Sequence, residues 1–272
     1  FSEGRDPVRI ARIADAIRGV DGVRLLDVDP GAGAHRTVMT FAGAPAPVTE
    51  AAFRAIRAAA EVIDMRLHVG AHPRMGATDV CPLVPLAGIT PAELIPYSLA
   101  LARRVGDELG IPVYLYERSA TAPWRRSLAS IRQGEYEGLA MKLANERWKP
   151  DFGPVTGNTR SGATVIGVRD FLVAYNVNLD TADAEVAREI ARDVRERGRV
   201  RTSGGAPQLD VSGRKVYEPG LLKSVRGIGW YIEEYGIAQV SMNLTDLAVT
   251  PIHLAFEACR AAASCYGARV TG

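Results

Sequence analysis

Four histidines, His35, His68, His72 and His253, are the side chains in this chain best suited to move protons near neutral pH. His72 stands out. It lies in Gly70-Ala71-His72-Pro73-Arg74-Met75-Gly76, where two glycines and a proline describe a loop between a helix and a strand. Arg74 next to it would disfavour the cationic imidazole, and a neutral imidazole is a base. A solvated histidine in a surface turn is the competing reading. His68 and His72 also form an H-x-x-x-H pair, the spacing with which a helix offers two imidazoles to zinc. The metalloprotease version has a glutamate after the first histidine, where Val69 stands here, and Pro73 breaks a helix through both. No metal site is expected.

Asp27 and Asp29 alternate along one strand, and Asp29 ends it, at a sheet edge where ligands often meet carboxylates. There it could accept hydrogen bonds from an amidine or an aminopyrimidine, or simply initiate the turn at Pro30-Gly31. Gly31-Ala32-Gly33 lacks the third glycine of a dinucleotide fingerprint and precedes a strand instead of a helix, which excludes that site. Gln239, Ser241 and Asn243 share one strand face, and Asn176 and Asn178 share another, as a polar cleft wall or a solvated sheet face would require. Asp151 to Gly162 is a glycine-punctuated segment of the kind that lets backbone approach a ligand, or a plain linker.

The composition narrows the setting. The chain has 272 residues, long enough for one large domain or two ordinary ones, with 47% hydrophobic and 24% charged side chains. Lys+Arg 33 against Asp+Glu 31 gives +2, too balanced for nucleic-acid binding, and no apolar run approaches a membrane span. Cys81, Cys259 and Cys265 form no C-x-x-C pair and no disulfide framework, so a reducing cytoplasm is the expected location.

The elements that must position these residues follow from capping and periodicity. Asp6-Pro7 opens a helix with Ile10, Ile13, Ala14 and Ile17 on one stripe. Strands are predicted over Val23–Asp29 and Arg36–Phe41, then a helix from about Thr49, a strand over Val80–Leu86, a helix from the Thr90 capping box to Gly110, and a strand over Pro112–Glu117. The later half repeats the order, with a strand over Phe171–Leu179, a helix over Thr181–Arg197, strands near Gly227–Ile232 and Ala238–Leu244, a helix after Thr250-Pro251 and a last strand from Ala268. Arg118 to Gly162 reads as a short basic helix plus loop, and Arg199 to Gly220 as a long mobile surface loop. Both halves fit a β-α-β-β-α-β plan, the first lacking its opening strand and the second stopping as its closing strand begins, as if the chain were cropped at both ends. The expected fold is α/β (α+β), two ferredoxin-like βαββαβ subdomains with a ligand cleft between them, divided as 1–168 and 169–272.

FSEGRDP, LLDVDPG, HRTVMTFAG, AHPRMGATDVCP, PVYLYE, IRQGEYEGL, PDFGP, FLVAYNVNL, GIGWYIEEYG and AQVSMNLTD together resemble the formiminotransferase family of folate enzymes, in near-constant register from Phe1 to Gly272. The resemblance implies transfer of a formimino group from N-formimino-L-glutamate to N5 of tetrahydrofolate, a late step of histidine degradation and part of one-carbon metabolism. It implies His72 as the general acid/base and tetrahydrofolate as co-substrate without metal. Asp29 would steady the amidinium, and Arg36 and Arg74 would anchor substrate carboxylates. It places folate binding on Gly153, Pro154, Val155, Thr156, Gly157, Asn158, Thr159, Arg160, Ser161 and Gly162. It also implies a homodimer. With no cyclodeaminase sequence following, the next step of the pathway is not expected of this chain. Two departures from the family pattern stand out: His35 where many relatives carry asparagine, and an idiosyncratic Val155–Ser161. Formyl transfer on the same scaffold and a non-catalytic folate-binding paralogue are the alternatives.

Overall fold

The Asp6 carboxylate accepts the N–H groups of Val8 and Arg9 and so opens α1 (Pro7–Arg18), whose buried stripe is Ile10, Ile13, Ala14 and Ile17. The computed structural model describes residues 1–272, and the chain divides into two units, Phe1–Arg169 and Asp170–Gly272.

In the first unit, β1 (Val23–Gly31) and β2 (Arg36–Gly43) form an antiparallel hairpin with a register shift between Leu25 and Asp27. The helix expected from Thr49 begins earlier. α2 (Pro45–Val62) starts on a proline that needs no N–H partner. α1 and α2 close one apolar cluster with Ile13, Ile17, Ala55, Ala59 and Ile63. β3 (Val80–Leu83) stops before Pro85, α3 (Pro91–Leu109) carries the Thr90–Glu93 capping box, and β4 (Val113–Glu117) follows. Between Arg118 and Gly162 stand two short helices, α4 (Leu128–Arg132) and α5 (Leu139–Leu143), with single 3-10 turns around them.

The element missed by sequence reading is β5 (Thr164–Val168), buried at every residue. It lies between β3 and β4, parallel to both. A central parallel strand is covered on both faces, so it shows no alternation and reads as a short apolar run. The first unit thus divides its strands between a two-stranded and a three-stranded sheet. A single β-α-β-β-α-β sheet was expected there. β5 draws β3 and β4 into a parallel sheet of their own, apart from the hairpin.

The second unit has β6 (Val173–Asn178), α6 (Ala184–Val194), β11 (Val225–Ile232), β12 (Ile237–Leu244) and α7 (Ile252–Cys265). Its antiparallel order is β11-β12-β6, and the expected last strand shrinks to one bridge, Val270 to Leu179. Val177, Val240, Met242 and Leu244 pack with Ile190, Val194 and Cys259 of the helices. α6 crosses β11 at Gly229, where a Cβ would stand 2.1 Å from the Ala187 backbone. The expected loop from Arg199 to Gly220 is instead a ribbon. β7 (Arg199–Val200) pairs with β10 (Tyr217–Glu218), and β8 (Thr202–Ser203) pairs with β9 (Ala206–Pro207). Two-residue strands are too short to leave a periodicity.

Ile166 of β5 is fully buried among Ile56, Leu101, Val105 and Leu115. Ile166→Ala should therefore destabilise the first unit by about 2–5 kcal/mol in urea unfolding. Val8→Ala, at an exposed position of α1, should stay within about 0.5 kcal/mol.

Candidate active site

The loop carrying His72 is fixed at its downstream end by backbone pairing. Ala163 N–H donates to Met75 C=O at 3.0 Å, Ala77 N–H donates to Ser161 C=O at 2.8 Å, and Gly76 bridges Gly162. Gly162 has φ +69, and a Cβ on it would lie 2.1 Å from the Met75 carbonyl oxygen, so only glycine fits. The chain start joins the same seam. Phe1 and Thr37 exchange backbone hydrogen bonds at 2.9 and 3.0 Å, and Ser2 N–H donates to Ala77 C=O at 2.9 Å. The hairpin end and the His72 loop thus come together.

Around them is a small pocket of about 10 Å³ lined by Phe1, Ser2, His35, Arg36, His68, His72, Arg74 and Asp79. That is roughly the space of one water molecule. Arg36, the first residue of β2, donates through Nη1 to His72 Nε2. This assigns the lone pair to Nε2 and the proton of a neutral ring to Nδ1. Burial, then the positive charges of Arg36 and Arg132, push the His72 pKa from 6.5 down to about 4, with Asp79 opposing. The cation that acts on His72 is therefore not the adjacent Arg74 but Arg36 and Arg132. Burial and Arg132 also lower the Arg36 pKa, while Asp79 and Asp29 raise it.

Asp79 anchors this cluster. Its buried carboxylate accepts Met75 N–H at 3.1 Å and two donors of Arg132, with Nε at 3.3 Å. Arg74 is equally committed. Its guanidinium donates to His68 Nδ1 and the His68 carbonyl, both at 3.2 Å, to Glu135 at 3.1 Å, and to the Glu137 carboxylate at 2.8 and 2.6 Å. No fork is left for an external carboxylate, so Arg74 holds the loop instead of presenting itself. His68 uses both ring nitrogens, accepting from Arg74 and donating through Nε2 to His35 C=O at 3.1 Å.

Asp29 lies exposed on β1 opposite Val38, outside the pocket lining, and acts on Arg36 only through space. In Gly153–Gly162 the two ends serve the scaffold. Asn158 Nδ2 donates to Gly110 C=O at 3.2 Å and its Oδ1 accepts Ser161 N–H at 2.9 Å. Thr159 C=O accepts the Tyr136 hydroxyl at 2.6 Å, and Arg160 Nη2 donates to Glu61 C=O at 2.8 Å. Gly153, at φ +82, packs its backbone against Ile111 and Gly106, ahead of Pro154. Val155 and Thr156 stay exposed beside Gly157.

In the second unit, cross-strand register sets Asn178 opposite Gln239 and Asn176 opposite Ser241. Trp230 Nε1 donates to Gln239 Oε1 at 2.9 Å and Gln239 Nε2 donates to Asn178 Oδ1 at 2.7 Å. Part of that polar face is therefore an ordered hydrogen-bonded chain, with Asn243 exposed at its far end.

Sequence reading missed Asp79, Arg132, Glu137 and Glu3. Arg132 lies 53 positions from Asp79, and no local pattern announces such a pairing. Asp79 alone had a clue, a carboxylate four residues after Met75 in the same glycine-flanked segment.

A neutral imidazole backed by arginine, in a glycine-tied loop of a mixed α/β chain, is an arrangement able to accept a proton. Comparison with known proteins makes it specific. The formiminotransferase domain, N-terminal subdomain, matches residues 1–169 and the formiminotransferase domain matches residues 174–272. The chain belongs to the formiminotransferase domain family. It is 43% identical over 270 residues to glutamate formimidoyltransferase of Thermoplasma acidophilum, covering 98% of this chain and 82% of that protein. It is 40% identical over 272 residues to glutamate formimidoyltransferase of Streptococcus pyogenes serotype M1, covering 100% and 84%. It is 47% identical over 259 residues to formimidoyltransferase-cyclodeaminase of Dictyostelium discoideum, covering 95% of this chain and 45% of that one. The chain thus spans about half the length of the formimidoyltransferase-cyclodeaminases it matches.

Arg36→Gln removes one of the two cations acting on His72. The ring's titration, followed by NMR, should move from about 4 toward 6.5. A folded-state pKa below the unfolded value favours the neutral ring, so His72 opposes stability as pH falls from about 6.5 through about 4. Arg36→Gln should shrink that acid-side loss in urea titrations run across this window.

Proposed function

We propose that this chain transfers a formimino group from N-formimino-L-glutamate to N5 of tetrahydrofolate, with His72 as the general acid/base. One observation carries the reading: the His72 ring is neutral at pH 7 and turns its lone pair to Arg36. The relatives named glutamate formimidoyltransferase support it.

The transfer forms a bond from N5 to the formimino carbon and breaks the bond from that carbon to the glutamate nitrogen. A proton must leave N5 and another must reach the departing nitrogen. His72 can take the first and return it. With a pKa of about 4 the free ring is a weak base, well below the optimum near working pH. A substrate carboxylate arriving at Arg36 would draw off the guanidinium, free Nε2 and reduce the positive field. The ring would then become more basic once substrate is in place. Arg36 is therefore the carboxylate anchor, and Arg74 positions the loop by gripping His68, Glu135 and Glu137. Asp29 would face the amidinium from the open side of the hairpin.

The small pocket does not hold a pteridine. Folate would lie over the half-buried outer side of His72, with Val155, Thr156 and Gly157 as the accessible part of the 153–162 segment. Residues 1–168 and 169–272 would act as the two formiminotransferase subdomains, in a cytoplasmic homodimer.

Spectrophotometric assay with formiminoglutamate and tetrahydrofolate decides the matter. His72→Ala should lose at least about 10²-fold in kcat while folate binding by calorimetry is kept. Equal rates in the two proteins would remove His72 from the mechanism, and faster turnover of a formyl donor would replace formimino transfer.

A further inference from the structure

We propose that His35, held as an imidazolium between Glu3 and the Val69 carbonyl, is a positioning residue that fastens the His72 loop to the β1–β2 turn. This rests on the reading of His72 above for its effect on turnover, though not for its charge state.

The geometry fixes the protons. His35 Nδ1 lies 2.9 Å from Val69 C=O and Nε2 lies 3.1 Å from Glu3 Oε1. Both partners only accept, and a neutral imidazole has one N–H, so both contacts are made only when the ring carries two protons. Glu3 does not supply the missing one. Burial works to raise its pKa, but the N–H groups of Arg5 and Asp6 and the His35 ring outweigh it and hold the carboxylate ionised. The pair is secluded, with the Glu3 side chain 3% and the His35 side chain 15% exposed.

His68 is the complement. Its ring stacks on His35 at 4.2 Å and 13°, yet its nitrogens accept from Arg74 and donate to His35 C=O, as the neutral form does. Burial, then the charges of His35 and Arg74, lower its pKa. A cation thus rests on a neutral ring, an attractive stack in place of a repulsive one. Glu3, with Arg9 on its other oxygen at 3.3 Å, faces His35 from the segment ahead of α1, and His68 and Arg74 face it from the loop.

Connectivity carries the effect to the reacting ring. His35 holds a left-handed φ of +52 with its N–H donated to Ala32 C=O at 3.2 Å. It immediately precedes Arg36, while Val69 stands three residues before His72. Consecutive residues of one turn therefore grip the loop twice, through Val69 and through His72. A Cβ on Gly70 would come within 2.8 Å of His35 Cβ, which shows how closely turn and loop mesh. Loss of either contact loosens the grip on the loop that carries His72.

The test is ¹⁵N NMR of the ring nitrogens in histidine-labelled protein, with His72→Ala and His35→Asn for assignment, beside the transfer assay. Both His35 nitrogens should be protonated at pH 7 in the unaltered chain. Asparagine tolerates φ +52, so His35→Asn should keep the fold by circular dichroism. It should shift the His72 ring resonances and lower kcat by roughly tenfold with little change in KM. A singly protonated His35 at pH 7 would overturn the proposal, as would unchanged His72 resonances and kcat in His35→Asn. Absence of transfer in both proteins would sink the activity reading, and the ring-nitrogen spectra would still decide the role of His35.

Discussion

The contact of Arg36 with the lone pair of His72 is the interaction on which the electrostatics of the first unit's pocket depend. A guanidinium and an imidazole side by side cannot both be cations at little cost in a half-buried setting. Arginine keeps its proton, so the histidine gives way and stays neutral. Arg132 reinforces the effect, and Asp79 prevents it from becoming a bare cluster of positive charge. An imidazole held this way stays neutral for as long as the guanidinium faces it.

That contact exists only because two distant segments are brought into register. The hairpin presents Arg36 at the first residue of β2, and the loop presents His72 between α2 and β3. Backbone hydrogen bonds through Phe1, Ser2, Ala77 and Ser161 join them, and the glycine pair Gly76–Gly162 lets the backbones approach. Arg74 closes the assembly by linking His68 to two glutamates of the helical segment. A mobile loop would leave the pKa of His72 near its ordinary value, whereas a clamped one holds the arginine and the imidazole in contact.

The second unit builds its polar surface by a different device. Alternation along β12 and β6 sends one set of side chains into the helices and leaves Gln239 and Asn178 on the other face. Cross-strand hydrogen bonds from Trp230 through Gln239 to Asn178 then fix which atoms donate and which accept. Amides so tied present a set pattern in place of a free-rotating one.

The amino-acid sequence by itself determined the helices and most strands. Caps such as Asp6 and Thr90, glycine stops and apolar stripes are local, and the energies that select them act within a few residues. It also singled out His72 as a candidate beside the plain reading of a turn histidine, because the glycines and proline around it are a local signal of a loop. The tertiary structure decided everything that needs two distant segments. It exchanged Arg74 for Arg36 and Arg132 as the charges acting on His72, and it left Asp29 outside the pocket. It placed β5 at the centre of a parallel sheet and paired the 199–220 ribbon. The physical reason is range: burial and charge–charge terms depend on distance in space, and residues 36, 72, 79 and 132 become neighbours only after the chain has folded.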